Sequence, residues 1–275
     1  MNLRTALRQG SEILASAGTP EPKLTAEVLL CHALRRERSF LYAHPEHELT
    51  LVEWIHYGRY LHERLQGKPL QHITRKQEFY GREFEVSPAV LIPRPETEHV
   101  VEQALRHAPG ARRVLDLCTG SGNLAVTLSL ELNAWAAATD ISFDALEVAR
   151  RNVRRHGARV ELIQCDLAGA VGARFDLVVS NPPYIPLHEM ATLQREVRDH
   201  EPHLALAGGE TGTDYYRRIV PEAERVLAPG GWLIIEIGYQ GERAVRALFG
   251  PAWSEPATEY DLAGWPRVVR ARFTP

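Results

Sequence analysis

From residue 114 onward, short apolar runs alternate with helical stretches, and this alternation constrains the fold more than any other feature of the chain. Residues 114–117, 136–139, 160–164 and 175–180 read as strands, with helical spacing of apolar residues over 123–132 and 143–156. The second of these helices is fully punctuated. Ser142 stands at the N-cap, Asp144 in the first turn, Arg150, Arg151, Arg154 and Arg155 late, and Gly157 at the stop. Runs at 232–237 and 268–273 supply further buried strands. Strand–helix repetition of this kind predicts an α/β, Rossmann-like fold: a mostly parallel sheet with helices on both faces.

The first 66 residues follow a different pattern. Leu3, Leu7 and Leu14 line a helix that Gly18 and Pro20 stop, and Pro22 opens a second with Leu24, Val28 and Leu29. A capping box, Thr50 with Glu53, starts another that sets Trp54, Tyr57, Leu61 and Leu65 on one side before Gly67 and Pro69. A small helical bundle is expected. Phe79, Tyr80 and Phe84 flank Gly81, which suggests a hairpin whose aromatics pack it. The expected division is a helical domain at 1–75, a hairpin linker at 76–90 and a catalytic domain at 91–275, since 275 residues suit two domains at roughly 100–200 each.

A content of 44% hydrophobic and 24% charged residues is that of a globular chain and excludes disorder. No apolar run nears the roughly 18 residues that span a bilayer, and the first ten residues lack a signal-peptide core, so a cytoplasmic protein without membrane contact is expected. Cys31, Cys118 and Cys165 are too few and too scattered for a disulfide framework or a zinc ribbon. His44 and His47 sit in a proline-containing loop with no acidic pair, so they read as surface histidines and no metal is expected. The net charge is −3, with 11 Lys and Arg against 9 Asp and Glu over residues 1–80 and 21 against 26 over the remainder. Proteins that grip phosphate backbones carry a basic surplus, so direct nucleic-acid binding is not expected.

The strand at 114–117 runs into Asp116-Leu117-Cys118-Thr119-Gly120-Ser121-Gly122, and residues 120–125 match the dinucleotide pattern G-x-G-x-x-G/A. Asp140, at the end of the next strand, is placed to accept both hydrogen bonds from a ribose diol. Asp116 selects among nucleoside cofactors. A pyrophosphate at the helix N-terminus would be repelled by that carboxylate, whereas the ammonium of a methionine tail would be attracted, so S-adenosylmethionine fits better than NAD. Asp166, with Leu167 beside it, follows a further strand and suits an adenine amino group; as an alternative, Asp166 simply caps a turn. Cys118 inside the loop reads as a small hydrophobe rather than a redox switch.

Immediately after the strand at 175–180 stands Asn181-Pro182-Pro183-Tyr184. In an open α/β sheet, ligands bind beyond the carboxyl ends of the strands, so this turn and the glycine loop face one crevice. Prolines cannot donate hydrogen bonds, which leaves carbonyls free to accept. The Asn181 oxygen and the Pro182 carbonyl can together accept both hydrogens of a planar NH2 group and turn its delocalised lone pair toward a sulfonium methyl. A strong general base is not needed, because the nitrogen becomes acidic only as the methyl arrives.

Residues 116–122, Asp140 and 181–184 resemble the class I S-adenosylmethionine methyltransferases that modify NH2 nitrogens. Further segments are similar to the HemK/PrmC protein-glutamine methyltransferases in particular: Val90-Leu91-Ile92-Pro93-Arg94-Pro95-Glu96-Thr97-Glu98, Glu201-Pro202, Ala205-Leu206, Gly208-Gly209 and Asp261-Leu262-Ala263-Gly264 with Pro266-Arg267. The resemblance implies that Asn181, Pro182 and Tyr184 serve catalysis. It also implies that Asn181 to Tyr184, with Arg94 and Glu96, meet the substrate, although helix capping alone accounts for the last two. The implied substrate is the glutamine of the Gly-Gly-Gln motif in peptide chain release factors, docked with help from the helical front domain. The alternatives are an adenine N6 methyltransferase, disfavoured by the acidic balance of residues 81–275, a dinucleotide oxidoreductase that leaves Asp116 and Asn181 to Tyr184 without a task, and a non-catalytic module that binds the translation machinery.

Overall fold

Helix signals near the start of the chain are realised as α1 (Leu3–Ser16), α2 (Pro22–Leu34), α3 (Arg38–Ala43), α4 (Leu51–Leu65) and α5 (Leu70–Thr74) in a computed structural model that describes all 275 residues. The capping box forms as its spacing predicts: Thr50 N–H donates to Glu53 Oε2 at 2.8 Å and Glu53 N–H to Thr50 Oγ1 at 3.3 Å. Leu3, Leu14, Leu29, Leu30 and Tyr57 are buried together as this region's core. Gly10 lets the Tyr57 ring in, since a Cβ there would lie 2.0 Å from the Tyr57 hydroxyl oxygen. Helices α3 and α5, of six and five residues, are too short to show an apolar period and are not evident from the sequence.

Beyond Arg75 come the hairpin β1 (Lys76–Phe79) and β2 (Arg82–Glu85), then α6 (Glu98–His107), β3 (Arg113–Leu117), α7 (Asn123–Glu131), β4 (Trp135–Asp140), α8 (Phe143–His156), β5 (Val160–Gln164) and β6 (Phe175–Ser180). They are followed by α9 (Arg195–His200), α10 (Asp214–Val226), β7 (Leu227–Glu236), α11 (Glu242–Arg246), β8 (Ala257–Tyr260) and β9 (Pro266–Arg272). Compactness divides the chain into Met1–Arg75 with Arg195–His200, and Lys76–Gln194 with Glu201–Pro275. Helix α9 thus belongs to the first unit, where its Glu196 pairs with the buried Arg64. The hairpin belongs to the second. It is no separate linker, because Phe79 and Phe84 are buried in that unit's core, edge to face at 6.1 Å, and Asn152 of α8 clamps Glu85 through both its backbone groups.

The main sheet has the order β5-β4-β3-β6-β7-β9-β8, parallel from β5 to β7, with β9 and β8 antiparallel. Both faces are covered. Leu115, Val178, Leu233 and Ile235 face a core that takes in α10, while Val114, Leu177, Val179 and Ile234 face one that takes in α6 and α7. Burial on two sides explains why these strands read as unbroken apolar runs. Strand β8 was not expected, being a half-exposed edge without such a run, and α10 carries Pro221 in its interior, which breaks its pattern. Successive strands pass from β3 to β4 and β5 on one side and from β6 to β7 on the other. The crevice at such a reversal, beyond the ends of β3, β4 and β6, is where open α/β sheets bind ligands.

Candidate active site

A cavity occupies that crevice, walled by the ends of β3, β4 and β6 and by residues near 89–97 and 202–205. At the end of β3 the chain curls through Cys118 (φ 59°), Gly120 (φ 55°) and Gly122 (φ 81°), all left-handed. Gly122 opens α7, and a Cβ there would press on Ala149 of α8 at 3.2 Å, so glycine permits both the turn and the helix contact. The Asp140 carboxylate secures the loop from the neighbouring strand, accepting from Gly120 N–H and from Ser142 N–H, each at 2.9 Å. Burial raises its pKa above the usual carboxylate range. Asp140, Cys118, Thr119, Gly120 and Ser121 all line the cavity.

Asp116 does not line it. The side chain is fully buried behind the loop, where Oδ2 accepts from Thr119 Oγ1 at 2.6 Å and from Ala125 N–H at 3.1 Å. Its other oxygen has no hydrogen-bond partner, and burial pushes the carboxyl up to about 7. In this arrangement Asp116 braces the loop through Oδ2, one layer below the cavity wall. Leu117 and Gly122 likewise lie outside the wall. Asp166 and Leu167 are in it, although Asp166 is paired with Arg218 at 2.6 Å. Both partners of that pair are about half exposed, so the carboxylate is held only weakly.

From the turn after β6, Asn181 and Pro183 reach the wall, whereas Pro182 and Tyr184 do not. The Tyr184 hydroxyl donates to Glu236 Oε1 at 3.1 Å. Its backbone is gripped by glycines, since a Cβ at Gly208 would lie 2.6 Å from Tyr184 Cα and one at Gly212 2.4 Å from its carbonyl oxygen. Asn181 donates from Nδ2 to Thr97 Oγ1 at 3.0 Å, and its Oδ1 is buried with no partner. Thr97, also in the wall, donates in turn to Glu236 Oε2 at 2.6 Å. Sequence reasoning missed Glu236. It stands inside the run at 232–237 that reads as a buried strand, and an acid among apolar neighbours was the only signal.

Arg94 and Glu96 are engaged elsewhere than the cavity. Arg94 pairs with the buried Glu201, whose Oε2 also accepts Ile92 N–H at 3.0 Å, and Glu96 faces Arg267 at 3.8 Å. Arg267 is fixed by Asp261 at 2.7 Å. The motif segments around Arg94, Glu201 and Asp261 are therefore one interlocked scaffold that holds Val90, Pro93 and Pro202 in the cavity wall. His44 and His47 both pack against Phe40, the first tilted and the second edge to face.

A mostly parallel sheet with its cavity at the reversal point, a glycine loop after β3, an acid at the end of β4 and Asn-Pro-Pro-Tyr after β6 together define a class I methyltransferase. Solved structures share the fold: a methyltransferase from Pyrococcus furiosus (TM-score 0.58, 19% identity, 78% of this chain and 100% of that one) and a ribosomal protein L11 methylase from Lactobacillus delbrueckii (TM-score 0.53, 18% identity, 72% and 90%). Residues 5–74 match the PrmC N-terminal domain and residues 97–252 the methyltransferase small domain. The release factor glutamine methyltransferase of Koribacter versatilis is 45% identical over 99% of each chain, and that of Geobacter sulfurreducens 44% identical over 94% of this chain and 93% of its own. This chain belongs to the release factor glutamine methyltransferase family.

Proposed function

We propose that the protein methylates the side-chain amide nitrogen (N5) of the glutamine in the Gly-Gly-Gln motif of peptide chain release factors, using S-adenosylmethionine. One observation carries the mechanism: Asn181 Oδ1 is a buried acceptor without a partner in the cavity wall. A buried, unsatisfied acceptor costs roughly 1–3 kcal/mol, which a donor on the ligand recovers. The cavity also fits the cofactor. Asp140 offers a carboxylate to the ribose diol, Ile141, Leu167 and Tyr215 a slot for an aromatic base, and the glycine loop backbone a cradle for the methionine part. When bound, S-adenosylmethionine supplies an electrophilic methyl on a sulfonium. The protein's task is orientation. Asn181 Oδ1 takes one hydrogen of the substrate amide and the Pro182 carbonyl, next along the turn, is assigned the other, so that the NH2 group is held with its lone pair out of conjugation with the carbonyl and aimed at the methyl. As the N–C bond forms and the S–C bond breaks, the nitrogen becomes acidic and gives up one of these protons. Asp116 contributes by bracing the loop.

The helical front unit, with its match to the PrmC N-terminal domain, is assigned to docking the protein substrate. A net charge of −3 supports a protein target over DNA or RNA adenine, and a substrate used in translation supports a cytoplasmic location. No helix is long and apolar enough to cross a membrane.

Single-turnover transfer of labelled methyl to purified release factor tests the role of Asn181, with a glutamine-to-alanine substrate as blank. Asn181→Ala should slow transfer roughly 100- to 1,000-fold, by analogy with losing one preorganised hydrogen-bonding group, while cofactor affinity changes far less. Asn181→Asp should stay impaired, because a carboxylate stabilises the charged ground state that methyl transfer neutralises. A wild-type rate for Asn181→Ala would refute positioning by this side chain.

A further inference from the structure

We propose that Thr97 and Glu236 are positioning residues that determine which end of the Asn181 amide faces the cavity. This rests on Asn181 being the acceptor for the substrate amide. An amide side chain can exchange its oxygen and nitrogen with little change of shape, so a wall that needs an acceptor must oppose that flip. Three hydrogen bonds do so. Glu236 is 2% exposed at the end of β7, and as a carboxylate it can only accept, from Thr97 Oγ1 at 2.6 Å and from the Tyr184 hydroxyl at 3.1 Å. With its single proton given to Glu236, Thr97 can only accept in turn, and it takes Asn181 Nδ2–H at 3.0 Å. Oδ1 is thereby left as a buried acceptor without a partner, on a side chain that lines the cavity. The flipped amide would set oxygen against the Thr97 lone pairs and a donor against the substrate NH2.

The polarity of this relay depends on Glu236 having no proton to give. Facing it are Thr97, the hydroxyl of Tyr184, Tyr216 of α10, which donates to the Glu236 main-chain oxygen at 3.1 Å, and the charges of Glu96 and Arg267. Burial pushes the Glu236 carboxyl up to about 7 against the bonds from Thr97 and Tyr184. Protonated, Glu236 can donate to Thr97, free the Thr97 proton for Asn181 Oδ1 and so permit the flip. Methyl transfer should therefore rise with pH through about 7.

The test is single-turnover methyl transfer to release factor as a function of pH, with S-adenosylhomocysteine affinity by calorimetry as the check on folding. Thr97→Val should slow transfer roughly 10- to 100-fold, the scale of a small misplacement at a reacting centre, with ligand affinity little changed. Thr97→Ser should restore the rate, and Thr97→Val should add nothing in an Asn181→Ala background. Glu236→Gln should abolish the pH dependence near 7. If Asn181→Ala is slow but Thr97→Val is not, or if their effects multiply, the relay is overturned while Asn181 keeps its role. A wild-type rate in Asn181→Ala removes both. A limb that survives in Glu236→Gln belongs to another group, such as Asp116, and overturns the part given to Glu236. Should Thr97→Val fail to bind S-adenosylhomocysteine, the Thr97→Ser rate and the Glu236→Gln pH profile decide the matter.

Discussion

At the residue scale, two buried carboxyls that form no ion pair, Asp116 and Glu236, lie just behind the cavity wall. Each is pushed up to about 7 by burial, and each is held by hydroxyl donors from segments flanking the site. For Asp116 the consequence for stability has a definite sign. Its folded value lies above the ordinary 3.8, so the group favours folding below about pH 4, loses that contribution as pH rises through about 7, and above that is a constant burden. Asp116→Asn keeps an acceptor for Thr119 and Ala125 but has no such titration. Urea midpoints measured from pH 5 to 9 should therefore fall less steeply in the variant than in the wild type. Parallel pH slopes would mean that Asp116 is not a buried titrating group.

At the scale of elements, the cavity depends on segments that are not themselves helices or strands. The stretch before α6 is anchored by Glu201, which is 4% exposed and receives both Arg94 and the Ile92 backbone. Removing Glu201 leaves the buried Ile92 N–H unpaired, at a cost of about 1–3 kcal/mol, and releases Arg94 to solvent. Glu201→Ala should lower S-adenosylhomocysteine affinity at least several-fold, because Val90, Pro93 and Pro202 then lose their common anchor. Calorimetry at a temperature where the variant remains folded checks this, and unchanged affinity would show the cavity wall to be held by packing alone. By contrast, α8 is legible from sequence to the residue. Ser142 Oγ accepts from Ala145 N–H at 3.2 Å and Gly157 closes the helix in the left-handed region, both being local features that need no tertiary partner.

For the whole molecule, every residue lining the cavity comes from the second unit, whereas α9, drawn from within that stretch of chain, belongs to the first. Residues 76–275 made alone should thus bind S-adenosylhomocysteine within a few-fold of the full chain, yet methylate intact release factor poorly for want of the helical docking unit. Full activity of the fragment on that substrate would refute a docking role. Segment 195–200, deprived of Arg64 as partner to Glu196, should become the first site of proteolysis in the fragment.

The chain by itself determined what local signals encode: the strand–helix alternation, the limits of α8, the capping box of α4, the glycine loop, and the Asn-Pro-Pro-Tyr turn at the end of β6. Those signals lie within a few residues of one another, so periodicity and capping chemistry suffice to find them. Tertiary structure decided which side chains meet. Thr97 and Glu236 are 139 positions apart and Arg94 and Glu201 are 107 apart; no spacing rule links them. Depth along the strand decided the rest: Asp116, paired with Ala138, lies inside the end of the sheet and is covered by Thr119 and Ala125, whereas Asp140, on the same face, stands at the very end of β4 and lines the cavity, because only the last residue of a strand clears the loop that follows its neighbour.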